Sequence, residues 1–244
     1  MRSAVARELG REIEYHDTIA STQTRGRELA ERVARAVVVA NEQTAGQGTR
    51  GRAWVAPRGS SLLASWIARP APSAPALFAA LAGVAIARAL DASTGIDARL
   101  EWPNDVVVEG RKIAGALAHA TSDGDGGALV LGIGINVHQQ RDDFPAELRD
   151  RAISLAIAGH DVDRLDLLAR LTVELDRLHD ADERRAALDE WRGRSTFLGR
   201  TVEVRAAARA AIRGVATAID DDGALLVRTA AGTEKVVAGE VALA

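Results

Sequence analysis

The stretch "TAGQGTRGRAW", residues 44–54, decides what kind of fold surrounds it. Gly46, Gly48 and Gly51 spell G-x-G-x-x-G directly after the apolar run Ala36–Ala40, which reads as a buried strand. In a dinucleotide-binding turn the third glycine opens a helix whose N-terminus holds the pyrophosphate, and an acidic residue follows about 20 positions later. Here Pro57 and Gly59 follow, then "SSLLASWIA" (60–68), which reads as another strand, and no acidic residue stands at the required distance. Gly-Lys-Ser/Thr is absent, so a P-loop is excluded as well. What remains is a glycine loop between two strands, carrying Arg50 and Arg52 and closed by Trp54. Bare glycine amides and two-pronged guanidinium groups suit an anion cradle. Taken alone, the loop is equally compatible with a solvated surface turn.

Outward from the loop, strand and helix patterns mix without strict alternation. "EIEYHDTIAST" (12–22) reads as a strand running into a turn, and "QTRGRELAERVARA" (23–36) as a helix despite Gly26, with Ser21 or Thr22 as its cap. "ALFAALAGVAIARALDAST" (76–94) is a helix apolar almost all round, hence buried. "ARLEWPND" brings a strand to Pro103, and "DVVVEGRKIAGALAHA" (105–120) reads as a hairpin turning at Gly110. "GGALVLGIGINVH" (126–138) is an inner strand, and 162–191 is helical, with Leu168, Leu171, Leu175 and Leu178 at helical spacing. Residues 1–11 read as an arm or short helix. Near Ser195 the texture changes to short alternating runs with glycine turns at Asp222-Gly223 and Ala231-Gly232, about five short strands that suggest a small barrel. The order implies an α+β fold with two domains, 1–194 and 195–244.

Composition narrows the function. The net charge of −3 gives no global case for nucleic acid or an anionic membrane, and the absence of cysteine excludes disulfides, thiolate chemistry and zinc-cysteine sites. The N-terminus lacks the apolar core of a signal peptide, and no apolar run is expected to reach a membrane span, so a cytoplasmic protein is expected. Of 31 basic residues only Lys112 and Lys235 are lysines, which marks each as a place where arginine would not serve.

Three further constellations carry chemistry. In "EWPNDVVVEGRKIAG" (101–115), Asn104 and Asp105 end a strand and Lys112 follows across the turn; a hairpin would bring that lysine to the carboxylate, near any charge that develops in phosphoryl or acyl transfer. In "LGIGINV" (131–137), Gly132 and Gly134 leave gaps suited to close approach by a ligand, and Asn136 offers an amide to an adenine edge. "STQ" (21–23) with Gln43 supplies hydroxyls and amides for a small polar head group. The histidines show no metal-ligand spacing.

Together "STQ", "NEQTAGQGTRGRAW", "EWPNDVVVEGRKIAGAL" and "LGIGINV" resemble the biotin–protein ligases in order and approximate spacing, and "IRGVATAIDDDGALLV" with "AGEVAL" resembles that family's small SH3-like C-terminal domain. The resemblance implies a mixed sheet with flanking helices, like the class II aminoacyl-tRNA synthetases, followed by an SH3-like barrel. It implies ATP and Mg2+ as cofactors, biotin as substrate, biotinyl-5'-AMP as intermediate, and a lysine of a biotin carboxyl carrier domain as acceptor. By the same resemblance Ser21, Thr22, Gln43, Gly46, Gly115 and Gly132 hold biotin; Arg50, Arg52, Trp54, Asn104, Lys112 and Asn136 hold the adenylate; and Lys112, Arg50, Arg52 and Asp105 carry the chemistry, Asp105 toward the metal or the incoming lysine. No metal ligands are assigned. About 15 residues precede the first core strand, so a short form without a DNA-binding domain and without a nucleic-acid partner is expected, with a homodimer as one assembly state. A non-catalytic biotin or biotinyl-AMP sensor and a lipoate-type ligase are the rival readings. Gln47, Thr49 and Glu101 stand where the family commonly has basic residues, which implies a weaker grip on the intermediate.

Overall fold

A computed structural model describes residues 12–72, 74–121, 126–206 and 210–244, together with the backbone but not the side chain of Arg50; the arm expected over residues 1–11 lies outside the described residues. Seven strands form one mixed sheet: β1 (Glu12–His16), β2 (Arg35–Ala40), β3 (Ser61–Ala68), β4 (Arg99–Glu101), β5 (Asp105–Val108), β6 (Arg111–Ala120) and β7 (Leu129–Asn136). Their spatial order is β1-β2-β3-β7-β6-β5-β4, with β1 parallel to β2 and the other pairs antiparallel. Both faces of the central strands are covered, which explains why β2 is apolar from Ala36 to Ala40 and β3 is apolar apart from the buried Ser61 and Ser65. Val37 and Val39 point to the large core around helix α2 (Pro75–Thr94), while Ala36 and Val38 point to a smaller core under helix α1 (Thr22–Leu29).

Helix α1 is shorter than the expected 23–36. It stops at Leu29 because Arg35–Ala40 is drawn into the sheet between β1 and β3, so the intervening residues must turn. Gly26, a weak helix former, is used for contact: a Cβ there would lie 2.7 Å from Val130 Cγ1 of β7. The expected helix over 162–191 is two helices, α3 (Arg164–Arg177) and α4 (Ala181–Arg194). The break falls where Asp180 caps the second, its carboxylate accepting the backbone N–H groups of Asp182 and Glu183. The leucine spacing is nevertheless that of the core-facing side, since Leu168, Leu171, Leu175 and Leu178 are all buried.

Helix α2 needs a correction to the expectation about membrane spans. It has 20 residues and a mean hydropathy of 1.6, enough by length and composition to cross a bilayer. It is instead the central core helix, with Leu81, Val84, Ile86 and Leu90 at zero or near-zero exposure against the sheet, α3 and α4.

The C-terminal strands β8 (Thr201–Arg205), β9 (Ile212–Ile219), β10 (Leu225–Thr229), β11 (Gly232–Val236) and β12 (Glu240–Leu243) form an antiparallel sheet in the order β11-β10-β9-β8-β12, the SH3-like unit the sequence implies. It is fastened to the first sheet by buried polar and aromatic contacts. Trp102 donates its indole N–H to the Gly223 carbonyl at 2.9 Å, and Trp191 of α4 meets Phe197 edge-on with ring centroids 6.3 Å apart. Gly223 has φ +85° and lies so close to α2 that a Cβ would sit 2.8 Å from Leu77 Cα.

Candidate functional site

The β5–β6 hairpin does what its sequence suggests. Glu109 and Gly110 both take positive φ, the signature of a tight two-residue turn, and set Asp105 opposite Gly115. Lys112 Nζ lies 2.6 Å from Asp105 Oδ1. Gly115 makes room for this pair, because a Cβ there would stand 3.1 Å from Lys112 Nζ and 3.3 Å from Asp105 Oδ1. Asn104 turns its amide inward onto the Ala116 carbonyl.

Two compartments meet at this pair. The inner pocket is lined by Ser21, Thr22, Gln23 and Gln43 at one end and by Lys112, Gly115 and Asn104 at the other, with Leu117, Gly132, Ile133, Gly134 and Trp54 between them. Its polar end is a buried network. Gln43 Oε1 accepts from the Thr22 amide (2.7 Å) and the Thr22 hydroxyl (3.1 Å), and the Ser65 hydroxyl sits 2.9 Å from Thr22 Oγ1. Ser21 caps α1, so the turn that starts the helix also delivers two hydroxyl residues to the pocket. The outer cleft is lined by Thr49, Arg52, Trp54, Glu101, Asp105, Lys112, Asn136 and Arg151. Lys112 and Trp54 belong to both, with Lys112 Nζ 5.8 Å from the centre of the Trp54 ring.

The two glycines of β7 line the inner pocket and also receive the chain's own side chains. The gap at Gly132 is filled by the Gln23 amide, whose Oε1 would lie 2.1 Å from a Cβ; the gap at Gly134 is filled by Trp54, whose indole would lie 2.6 Å from one. The bare backbone thus lets the chain's own side chains come close. Gln23 is then fully used, donating to the Leu117 and Val130 carbonyls. The Trp54 indole N–H is buried without a hydrogen-bond partner.

Other expected residues sit as follows. Gly46 is at the neck of the loop and does not line the inner pocket: Trp54 N donates to Gly46 O at 3.0 Å, and a Cβ at Gly46 would collide with Trp54 O at 2.6 Å. The first and last turns of the loop touch there, which only glycine permits. Asn136 borders the outer cleft, but both ends of its amide are engaged within the chain, Nδ2 donating to Ile153 O (3.0 Å) and Oδ1 accepting from Gln139 (2.9 Å). Each end of the amide therefore has half of its hydrogen-bonding capacity engaged. Arg52 is exposed and reaches Thr49 Oγ1 (3.2 Å) and Glu240 of β12 (3.5 Å). Lys235 stands apart from the cleft and braces the β9–β10 turn through Asp220 and Asp222.

Glu101 pairs with Asp105 across the β4–β5 ladder. Burial pushes its carboxyl above the usual carboxylate range, and the neighbouring Asp105 pushes in the same direction; the Thr196 hydroxyl (3.4 Å), Lys112 and Arg151 oppose this. Among the described residues no group of three His, Cys, Asp or Glu side chains gathers to hold a metal ion. Sequence reasoning missed Leu117, Ile133 and Arg151. Leu117 follows from strand alternation past Gly115, Ile133 borders the pocket from the strand although its side chain belongs to the core around α2, and Arg151 enters through a long-range pairing, Lys112 N to Arg151 O (2.8 Å), that has no local signal.

Comparison with known proteins sets this geometry in context. A family model described as "Biotin/lipoate A/B protein ligase family" matches residues 15–136, and one described as "Biotin protein ligase C terminal domain" matches residues 197–243. The chain is 35% identical over 246 residues to the "Bifunctional ligase/repressor BirA" of Bacillus spizizenii, covering 96% of this chain and 75% of that protein. It is 37% identical over 218 residues to the "Biotin--[acetyl-CoA-carboxylase] ligase" of Paracoccus denitrificans, covering 84% of this chain and 88% of that protein. The solved structure of the Aquifex aeolicus biotin protein ligase in complex with biotin and ATP superposes with a TM-score of 0.78 at 28% identity, covering 96% and 98% of the two chains.

Proposed function

The chain belongs to the biotin/lipoate A/B protein ligase family, and from that premise we propose that its inner pocket seats biotin and its outer cleft seats ATP, with the reaction at their junction. The protein is an ATP-dependent ligase that activates biotin as biotinyl-AMP and transfers it to a carboxylase carrier domain. The observation that carries the assignment of parts is that Lys112 borders both compartments.

Ser21, Thr22 and Gln43 hold the polar head of biotin, where a donor-rich, buried end matches a small ureido group. Leu63 and Leu117, opposite Gly134 and Gly132 on the neighbouring strands, pack its apolar body, and the carboxylate end points to Lys112. When the biotin carboxylate attacks the α-phosphate, the new bond joins two anionic groups and pyrophosphate leaves with the displaced electron pair. Lys112 offsets that charge at the point where it concentrates, and Arg52 does so from the loop. Trp54, seated on Gly134, covers the junction and keeps water from the acyl phosphate. The chain offers no cage for Mg2+ among the described residues; the ion would arrive on the triphosphate, as magnesium commonly does. A carboxyl carrier domain then presents its lysine at the outer cleft. This reading places the work in the cytoplasm, where ATP and carboxylases are found.

Intact-mass analysis tests the proposal directly. A carboxyl carrier domain incubated with the protein, biotin and Mg-ATP is expected to gain one biotinyl group. Binding of biotin without pyrophosphate release would leave a non-catalytic sensor, and release with lipoate but not biotin would leave a lipoate-type ligase. Neutral Gln47 and Thr49 line the inner pocket beside the intermediate. Each absent charge-assisted bond costs about 1.5–3 kcal/mol of retention, so a lysine-rich bystander protein in the same mixture is expected to be labelled as well. An unlabelled bystander beside a labelled carrier would disprove the weaker grip.

A further inference from the structure

We propose that Glu101 accepts the proton of the carrier lysine in the transfer step, with Asp105 holding the incoming ammonium group in line. The inference rests on the ligase reading above and assigns a residue of this chain that stands outside the adenylation machinery.

The geometry supports a division of labour between the two carboxylates. They face each other across the β4–β5 ladder, on the side of the junction that opens to the outer cleft. Asp105 is tied to Lys112 at 2.6 Å, so its oxygen is committed to a cation throughout adenylation. Among the described residues, Glu101 receives one long hydrogen bond, from Thr196 at 3.4 Å, and is not held by a close ion pair. The charged groups acting on it are Asp105 from β5, Lys112 from β6 and Arg151 from the segment after β7.

Chemistry requires such a group. A lysine side chain arrives as an ammonium ion, with only about one in 2,500 uncharged at neutral pH. One ammonium proton must therefore pass to a base before the nitrogen has a lone pair to offer, and Glu101 takes it. The amine then attacks the acyl carbon, the acidic nitrogen of the adduct gives its second proton to the departing phosphate or to water in the open cleft, and the carbonyl–phosphate bond breaks with its electron pair leaving on AMP. A carboxylate less acidic than usual is the better acceptor, and Glu101 is of that kind through burial beside Asp105. A negative charge here weakens the hold on an adenylate, as the sequence comparison implied, but it attracts the cationic acceptor and then relieves it of its proton.

The test uses the whole enzyme loaded with biotinyl-AMP, formed from biotin and Mg-ATP and freed of excess nucleotide. Single-turnover decay is followed with a carrier domain and, separately, with hydroxylamine, which is uncharged at neutral pH and needs no deprotonation before it attacks. In Glu101→Gln the ratio of the carrier rate to the hydroxylamine rate is expected to fall about 10²-fold, with partial recovery in Glu101→Asp. The alkaline rise of the carrier rate is expected to lose its carboxylate limb. Thr196→Val removes the hydroxyl on Glu101 without touching the carboxylate, and should move that limb to higher pH; it carries the test if Glu101→Gln does not fold. An unchanged ratio, or equal losses with both nucleophiles, overturns the role of Glu101. If the wild-type protein releases no pyrophosphate from biotin and ATP, the ligase reading falls first and the inference with it.

Discussion

Lys112 is positioned by one turn and one missing side chain. The turn at Glu109 and Gly110 brings it beside Asp105, and Gly115 leaves the space both need. Lys112→Ala is expected to lower adenylation about 10²–10³-fold, measured as pyrophosphate release; an unchanged rate would remove it from the mechanism. Glu101 gives a second expectation, this time for stability. Its folded-state pKa is raised, so the folded protein binds the proton more tightly than the unfolded chain does. The associated stability is fully present below the ordinary carboxylate range and is lost as pH rises through the raised value. Urea midpoints of the wild type are therefore expected to decline across that window, and those of Glu101→Gln to decline less. The sequence made Lys112 legible because lysine is rare and a hairpin register is local. The burial of Glu101 was not legible, since it depends on Thr196, 95 residues away.

Strand β7 shows how an element can be legible in sequence while its close neighbours are not. Alternation and apolar content pointed to an inner strand, which it is, between β3 and β6. Its glycines read as openings for a ligand because glycine tells only that something comes close, not what. The occupants, Gln23 and Trp54, lie about 80–110 residues earlier in the chain, beyond any local pattern. Gly134→Val is expected to push Trp54 out of its slot at a cost of about 1–3 kcal/mol. Trypsin should then cut faster after Arg52, and biotin with ATP should no longer protect the site; unchanged cleavage would mean that the loop is not seated by this contact. The break between α3 and α4 is a milder case. The leucine spacing revealed the buried face, but the capping role of Asp180 was hidden in a run of polar residues that also suits an exposed helix.

At the scale of the whole molecule, the α+β class and a separate β tail were legible from texture, whereas the strand order was not, because partners distant in sequence choose one another by packing. The joint between the sheets depends on Trp102 and Gly223, each unremarkable in its local segment. Trp102→Phe leaves the Gly223 carbonyl without its donor, at an expected cost of about 1–3 kcal/mol. Hydrogen exchange should accelerate across β9 and β10 more than across β2 and β3, and uniform acceleration would show that the two sheets share no such hinge point. The pairing of β3 with β7 has a consequence for synthesis. Ser61 lies opposite Asn136, so the middle of the sheet cannot close until the ribosome has released more than half of the chain. Until then the nascent polypeptide carries a long apolar edge with open amides and carbonyls, and a trigger-type chaperone at the exit tunnel would find its strongest target in residues 61–68.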